Sequence, residues 1–264
     1  SKEIKELGQY LGRIDIIQSL ALVAYTENWS RPKISSEKKV LRIKNGWHPL
    51  IKSIIKDSFT HHDLILDKSC YFGLITGPNT AGKTTVMREV AIIQILTQLG
   101  SFVPAEHAEV SICDHVFSRL GASDDIQQGQ STFMVEMSET AEIIRHATDR
   151  SLVILDEIGR GTSTYDGLSI AWSLVDHFVN KTGSMCLFAT HYHELIELIE
   201  SYPCAKNLTV ETRGKGQNVE FLYRLIEAGA SQSYGIYVAK LAGLPKTILS
   251  KAEHILKVLE KKDD

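Results

Sequence analysis

Hydrophobic residues at the start of the chain recur at spacings of three and four, which predicts an amphipathic helix from Ile4 to Asn28. Its apolar stripe consists of Ile4, Leu7, Leu11, Ile14, Ile17, Ala21 and Ala24. Such a stripe usually packs against a core, and we expect that role here. The alternative is that this helix is the end of a longer one that connects to domains outside this chain.

Further along, continuous apolar runs alternate with helical patterns. The runs are Tyr71–Thr76, Ser151–Leu155 and Ser184–Thr190, and their length is typical of strands buried on both faces of a sheet. The helical patterns cover Val86–Leu99, Ser131–Ala147 and Leu168–Val179. This alternation predicts an α/β fold, in which helices flank a mixed or parallel central sheet.

Shorter segments complete the expected elements before and between these runs. Alternating residues predict strands at Val40–Lys44, Glu109–Asp114 and Val116–Leu120. The segment Lys56–Asp67 has little periodicity, and we expect an exposed loop there.

The last part of the chain combines a strand pair with a helix pair. Asn207–Glu211 and Asn218–Leu225 predict an antiparallel pair around the turn Gly214–Gly216. Two helices, Ser233–Ala242 and Lys246–Lys261, then form a helix-turn-helix. The first of them is small and apolar, which favours a packing or dimerisation face over a DNA-reading helix.

The residues after the strand Tyr71–Thr76 have the spacing of a phosphate-binding loop. Gly77, four further residues, and then Gly82, Lys83 and Thr84 fit G-x-x-x-x-G-K-[ST]. In such a loop the backbone N–H groups surround phosphate oxygens, the lysine reaches the outer phosphates and the hydroxyl is a magnesium ligand. A surface turn with a capping glycine is the alternative, but a strand before the loop and a helix after it favour phosphate binding.

Two other strand ends carry candidate catalytic residues. Asp156 and Glu157 follow the strand Ser151–Leu155, where Asp156 can hold magnesium through water and Glu157 can polarise the attacking water. An acidic pair that merely ends a strand is the alternative. His191 follows another strand, and we expect it to hydrogen-bond a γ-phosphate, because a metal site with His193 lacks a further suitably spaced ligand.

Two residues outside these strand ends have more than one interpretation. Ser131 begins a helix after the polar loop Gly121–Gln130, so it either caps the helix or binds an anion of another molecule. Phe59 precedes the phosphate loop and could stack on a nucleotide base, but the sequence alone favours an exposed loop residue.

Composition narrows the function classes. The net charge of −3 and the pI near 6.4 give no global reason to expect sequence-independent nucleic-acid binding, which needs a basic face. The four cysteines are far apart and lack a C-x-x-C pair, which argues against a disulfide framework or zinc site and fits reduced thiols in a cytoplasmic protein. No apolar run approaches the length of a membrane span.

Because the chain starts without Met and within a helical pattern, we expect a piece of a longer protein.

Four motifs in one order carry a family resemblance: the phosphate loop, S-T-F-M-V-E-M, D-E-I-G-R-G-T-S-T-Y-D-G and A-T-H-Y-H-E-L. Nearly the whole chain resembles the ATPase domain of the MutS family of DNA mismatch-repair proteins. The resemblance implies a P-loop NTPase of the ATP-binding-cassette type, with magnesium-dependent ATP hydrolysis and composite sites between head-to-tail subunits. In each site Lys83, Thr84, Asp156, Glu157 and His191 would act in cis, and Ser131 of the other subunit in trans.

The resemblance also implies a set of nucleotide-binding residues. Phe59 and Tyr223 would stack on adenine, which reverses the interpretation of Phe59 as a mere loop residue, and Arg160 and Gly161–Gly167 would support the subunit interface together with Asn79. The full set is Phe59, Gly77, Pro78, Asn79, Thr80, Ala81, Gly82, Lys83, Thr84, Thr85 and Tyr223. The chain departs from the family at Thr80, Ala81 and Thr84, where Met, Gly and Ser are common, and at Tyr223, where His is frequent.

Domain organisation and partners follow from the same resemblance. It implies the end of a lever helix at 1–28, the ATPase domain at 29–227 and a dimerisation helix-turn-helix at 228–264. The expected ligands are ATP or ADP and Mg²⁺. The expected partners are a second copy of the chain, mismatched DNA through domains outside it, and a MutL-type protein, in the bacterial cytosol and with no membrane.

The sequence leaves three rival interpretations open. A transporter nucleotide-binding subunit would carry L-S-G-G-Q, where this chain has G-Q-S-T-F-M-V-E-M. The recombination-suppressing branch of MutS-like proteins also favours a threonine-containing phosphate loop, but S-T-F-M-V-E-M favours the mismatch-repair branch. The third is a dimerisation module that binds nucleotide without hydrolysing it.

Overall fold

A computed structural model describes residues 2–55, 59–78, 81–121, 132–213, 220–230 and 234–263. The helices are α1 (Lys2–Thr26), α2 (Pro49–Ile55), α3 (Lys83–Gln98), α4 (Thr132–His146), α5 (Thr164–His177), α6 (Glu194–Glu200), α7 (Gly235–Leu241) and α8 (Lys246–Asp263). The strands are β1 (Lys33–Ser35), β2 (Leu41–Gly46), β3 (His62–Leu66), β4 (Phe72–Thr76), β5 (Ala105–Ser111), β6 (Val116–Arg119), β7 (Leu152–Asp156), β8 (Met185–Thr190), β9 (Ala205–Arg213) and β10 (Glu220–Ile226). A π-helical turn, Phe178–Thr182, continues α5.

The larger sheet has six strands in the order β10-β9-β4-β8-β7-β6. All neighbours are parallel except β10, which pairs antiparallel with β9 as the alternating pattern predicts. Every residue of β4, β7 and β8 is buried, because helices and the smaller sheet cover both faces. The expected α/β architecture with a mixed sheet is confirmed.

The two faces of this sheet carry separate hydrophobic clusters. On one face, Ile75 and Leu187 pack with Val90 of α3 and with Leu41 of the smaller sheet. On the opposite face, residues of β4, β7 and β8 pack with α5 and α6. Helix α3, which follows the predicted phosphate loop, is therefore held between the two sheets.

The smaller sheet has four strands in the order β1-β5-β2-β3. Strand β3 pairs antiparallel with β2 and alternates buried with exposed positions, so the loop predicted at 56–67 is wrong for this part. The strand escapes prediction because its first inward position is a histidine, His62, which interrupts the apolar alternation.

Helix α1 is formed as predicted, but its apolar stripe does not join the core. Leu7, Leu11 and Ile17 are 59%, 58% and 67% exposed, and Ala24 is the buried residue of this helix. The expectation of core packing is therefore wrong. The connection to further domains stays a prediction.

The C-terminal helix-turn-helix is present in the described residues as α7 and α8. The turn between them places Gly243 at a φ of 88°, a left-handed conformation that glycine adopts without steric cost. None of the described helices is long and apolar enough to cross a membrane. The domain boundaries at residues 28 and 227 stay predictions.

Candidate functional site

Three neighbouring parallel strands, β4, β8 and β7, end at the same edge of the larger sheet. Thr76 lies opposite Thr190, and Asp156 lies opposite Ala189. The residues that follow these strand ends are therefore brought together, as expected at the carboxyl edge of an open α/β sheet. They include Gly77, Glu157 and His191, which are far apart in sequence.

The predicted phosphate loop turns sharply between β4 and α3. Gly77 and Gly82 have φ angles of 125° and 92°, which only glycine adopts without strain. The Ala81 N–H donates to the Pro78 carbonyl oxygen at 3.1 Å. Gly82 is the residue before α3, so the first N–H groups of that helix open towards the loop. Asn79 and Thr80 lie outside the described residues.

Lys83 is almost completely buried at this edge, with 1% of its surface exposed. Its ammonium donates to the carbonyl oxygen of Gly77 and lies 3.9 Å from Glu157 Oε1. Burial lowers the pKa of Lys83, whereas the carboxylates of Glu157 and Asp156 oppose this shift. The cation is thus held at the loop, where it can meet a phosphate.

Thr84 and Asp156 join the start of α3 to the end of β7. The Thr84 hydroxyl donates to Asp156 Oδ2 at 2.7 Å. The other carboxylate oxygen, Asp156 Oδ1, is buried and makes no hydrogen bond with a described residue. A hydroxyl and a carboxylate with a spare buried oxygen fit the hard oxygen ligands that Mg²⁺ prefers.

Glu157 has a left-handed backbone, with φ at 55°, which is rare for a residue with a side chain. Its N–H donates to the Ala189 carbonyl at 2.8 Å, so β8 stabilises this conformation. Its carboxylate forms an ion pair with Arg160, with Nη1 and Oε2 2.5 Å apart. Such strain persists where the surroundings enforce it, and it directs Glu157 towards Lys83. We call Gly77, Lys83, Thr84, Asp156 and Glu157 the phosphate side.

A buried glutamate that sequence reasoning missed supports the segment after Glu157. Glu136 of α4 accepts the N–H of Gly159 at 2.6 Å, and its other oxygen lies 3.6 Å from Arg119 Nη2. The Tyr192 hydroxyl donates to the Gly159 carbonyl at 3.2 Å. The signal in the sequence was a carboxylate on the inward face of an amphipathic helix, within S-T-F-M-V-E-M.

His191 lies at the end of β8, beside the phosphate side, and it remains solvent-exposed. Partial desolvation lowers its pKa, and the positive charges of Arg160 and Lys83 add to this effect. Its ring packs on Tyr192 with centroids 4.1 Å apart. A neutral imidazole carries one N–H, which suits a hydrogen bond to an anion. Within the described ranges, no cluster of three or more His, Cys, Asp and Glu could hold a metal.

The base side, which we define as Phe59, His62 and Tyr223, adjoins the loop on the other flank. Tyr223 sits at a bulge of β10 with φ at 54° and is 47% exposed. A Cβ placed on Gly82 would lie 3.6 Å from its ring, so Tyr223 is next to the loop. Phe59 is half-buried, and its ring contacts that of His62 edge to face at 6.0 Å. Thr60 donates to the Leu222 carbonyl at 3.1 Å, which joins the Phe59 segment to β10.

Thr85, another predicted nucleotide-binding residue, lies in the first turn of α3. Ser131 lies outside the described residues, and in the sequence it directly precedes α4. In the segment 161–167, a Cβ on Gly161 would come within 2.8 Å of Phe133 Cβ, so this segment packs closely on the start of α4.

Comparison with known proteins decides the family. Residues 73–260 match the family model of MutS domain V. The chain belongs to the MutS domain V family. It is 50% identical over 261 residues to a DNA mismatch repair protein MutS of Clostridium novyi, covering 97% of this chain and 29% of that protein.

Other relatives of this MutS domain V chain show the same relation. It is 49% identical to DNA mismatch repair proteins MutS of Acetivibrio thermocellus and Clostridioides difficile, over 268 and 260 residues. These alignments cover 100% and 98% of the chain but 31% and 27% of the relatives. The chain therefore spans about three tenths of the length of the curated relatives it matches.

Proposed function

We propose that this chain is the ATP-binding and ATP-hydrolysing module of a bacterial mismatch-repair protein, with a P-loop of the ATP-binding-cassette type. The observation that carries the proposal is the convergence of Lys83, the Thr84–Asp156 pair and Glu157 at one sheet edge. A phosphate-binding lysine, a magnesium donor set and a carboxylate near both are the parts that phosphoryl transfer to water needs. Membership of the MutS domain V family supports it.

Each residue of the site has a distinct role in the proposed hydrolysis. Backbone N–H groups of the loop and Lys83 bind phosphate oxygens, and His191 donates to the γ-phosphate. Glu157 orients a water and accepts its proton while the water oxygen bonds to the γ-phosphorus and the bond to the β-phosphate oxygen breaks, which gives ADP and phosphate. Mg²⁺, held by Thr84 and through water by Asp156, would neutralise charge on the phosphates.

Two contacts of the phosphate side have to change when ATP binds. The Lys83 ammonium must leave the Gly77 carbonyl for a phosphate oxygen, and Glu157 must release Arg160 to hold a water. The first exchange gives the Lys83 ammonium an anionic partner in place of a neutral carbonyl oxygen, and the second releases Arg160, whose side chain is half-exposed, to solvent. Phe59 and Tyr223 then flank the adenine ring on the base side.

The decisive test of hydrolysis uses Glu157→Gln. Glutamine keeps the size of the side chain but cannot accept the proton, so we expect ATP binding to persist and phosphate release to fall by at least ~100-fold. Fluorescent-nucleotide titration and single-turnover phosphate release measure the two. Glu142→Gln, an exposed glutamate on α4, is the control. Phosphate release near the wild-type rate would show that Glu157 is not the base.

We extend the proposal to a head-to-tail homodimer in which Ser131 completes the partner's site. Arg160 and the segment 161–167 would lie at this interface, and the complete protein would contact mismatched DNA and a MutL-type partner in the bacterial cytosol. Ser131→Ala should abolish activity that returns in part when it is mixed with Lys83→Ala, because mixed dimers contain one intact composite site. If mixing restores nothing, the site is not completed in trans.

A further inference from the structure

His62 of the base side forms a buried pair with Glu89, and hydrolysis uses neither of these titratable groups. His62 of β3 and Glu89 of α3 have side chains 6% and 1% exposed, and Nδ1 of His62 lies 2.8 Å from Glu89 Oε2. The other ring nitrogen, Nε2, lies 2.8 Å from the carbonyl oxygen of Tyr223 in β10. One imidazole therefore bridges three elements that come from distant parts of the chain.

The hydrogen-bond partners determine where the protons are. A carbonyl oxygen only accepts, so Nε2 of His62 must carry a proton and donate it. One further proton then lies between Nδ1 and the Glu89 carboxyl group, and the pair as a whole is neutral. Burial raises the pKa of Glu89, which favours retention of this proton. A satisfied, neutral pair can remain in the interior, whereas either group alone would leave a buried polar atom without a partner.

His62 connects this pair to the two other residues of the base side. The ring of His62 packs against the ring of Phe59, and its N–H binds the carbonyl of Tyr223, whose backbone is left-handed. Glu89 lies on the same helix as Lys83. Gly46 of β2 makes room for it, because a Cβ there would be 2.5 Å from Glu89 Oε1. The contacts thus connect both expected walls of the base site to the helix that begins at the phosphate loop.

We propose that His62 and Glu89 act as a positioning unit that holds Phe59 and Tyr223 at the spacing of an adenine ring, and so set the affinity for the base. This inference rests on the proposed function. Neither residue would touch the nucleotide. Their effect passes through the Phe59 ring and the Tyr223 carbonyl, so it should be confined to ligands that have a base.

A comparison of two ligands distinguishes binding of the base from binding of the phosphates. ATP and inorganic tripolyphosphate, each with Mg²⁺, are titrated calorimetrically into the wild type and into His62→Ala and Glu89→Ala. We expect either variant to weaken ATP binding by about tenfold, the loss expected when one aromatic face no longer stacks on the base, while tripolyphosphate affinity stays within about twofold. In turnover, KM for ATP rises and kcat changes little, because the phosphate side is intact.

Glu89→Gln is the conservative control. A glutamine amide can donate to Nδ1 of a neutral imidazole, which keeps Nε2–H on the Tyr223 carbonyl. We expect its ATP affinity to remain within about threefold of the wild type. Alanine and glutamine both remove the carboxylate, so normal affinity with glutamine alone would show that the hydrogen bond to His62, and not the charge, matters. Thermal unfolding of each variant reports folding. If His62→Ala does not fold, His62→Asn, which reaches at most one of the two partners, replaces it.

The possible outcomes separate this inference from the proposed function. Equal losses for ATP and tripolyphosphate, or unchanged ATP binding in both alanine variants, would overturn the positioning role alone. A wild-type chain that binds neither ligand would overturn the proposed function, and this inference with it.

Discussion

The phosphate side and the base side flank the same loop, yet they are built in opposite ways. The phosphate side gathers residues at and after the ends of two buried parallel strands, β4 and β7, so the sheet itself brings them together. The base side joins segments far apart in sequence, since His62 and Tyr223 are 161 positions apart and meet through one hydrogen bond. Changes on the first side should therefore alter binding of phosphate and the chemistry, and changes on the second should alter selectivity for the base.

Lys83→Ala should cause the largest loss of ligand affinity at the phosphate side. The variant removes a buried cation and leaves Glu157 and Asp156 without their nearest positive neighbour on α3, so we expect a loss of roughly 100-fold or more in affinity for both ATP and tripolyphosphate. Calorimetric titration measures both. A loss confined to ATP would contradict the assignment of Lys83 to the phosphates.

Glu136→Ala tests whether the phosphate side depends on support from α4. Without Glu136 the Gly159 N–H loses its acceptor, and the segment after Glu157 can shift, so kcat should fall roughly 10- to 100-fold with little change in KM. Glu139→Ala is the matched control, because Glu139 is a more exposed partner of the same Arg119. An equal effect of both variants would show that Arg119, rather than the Gly159 contact, matters.

Substitution of Tyr223 should have the smallest effect of these variants, and it should weaken binding of ATP without affecting binding of tripolyphosphate. Tyr223→Ala removes one aromatic face, and base stacking on such a face is usually worth ~1–3 kcal/mol. ATP affinity should therefore fall by about tenfold, with tripolyphosphate affinity unchanged. Tyr223→Phe keeps the ring and should bind ATP nearly as the wild type does. If phenylalanine is as poor as alanine, the hydroxyl and not the ring binds the nucleotide.

The same contrast explains what could be predicted from the sequence. Gly77, Gly82, Lys83 and Thr84 are encoded by local spacing, and Asp156 ends an apolar run, so their shared edge follows from general rules for parallel sheets. The structure brings two of these residues into contact, since Thr84 donates to Asp156, and their roles stay predictions.

The base side could not be derived in this way. His62 occupies an inward strand position and is buried by pairing with Glu89, which is 27 positions away, and no local pattern records such a pairing. The loop expected there was wrong for that reason. The stacking roles of Phe59 and Tyr223 follow from the family resemblance and not from spacing, because contacts between distant segments leave no periodicity in either segment.

Helix α1 also affects how molecules of this chain interact with one another in solution. The helix has 25 residues, which corresponds to a rod about 37 Å long, and apolar side chains such as Leu7, Leu11 and Ile17 face water along it. Exposed apolar surface of this kind makes molecules attract one another in solution. Even at low ionic strength, where charges are screened least, the net charge of −3 offers only modest repulsion to oppose that attraction. The osmotic second virial coefficient of this chain should therefore be negative, and the helix, rather than the sheet core, limits the concentration at which the chain stays dispersed.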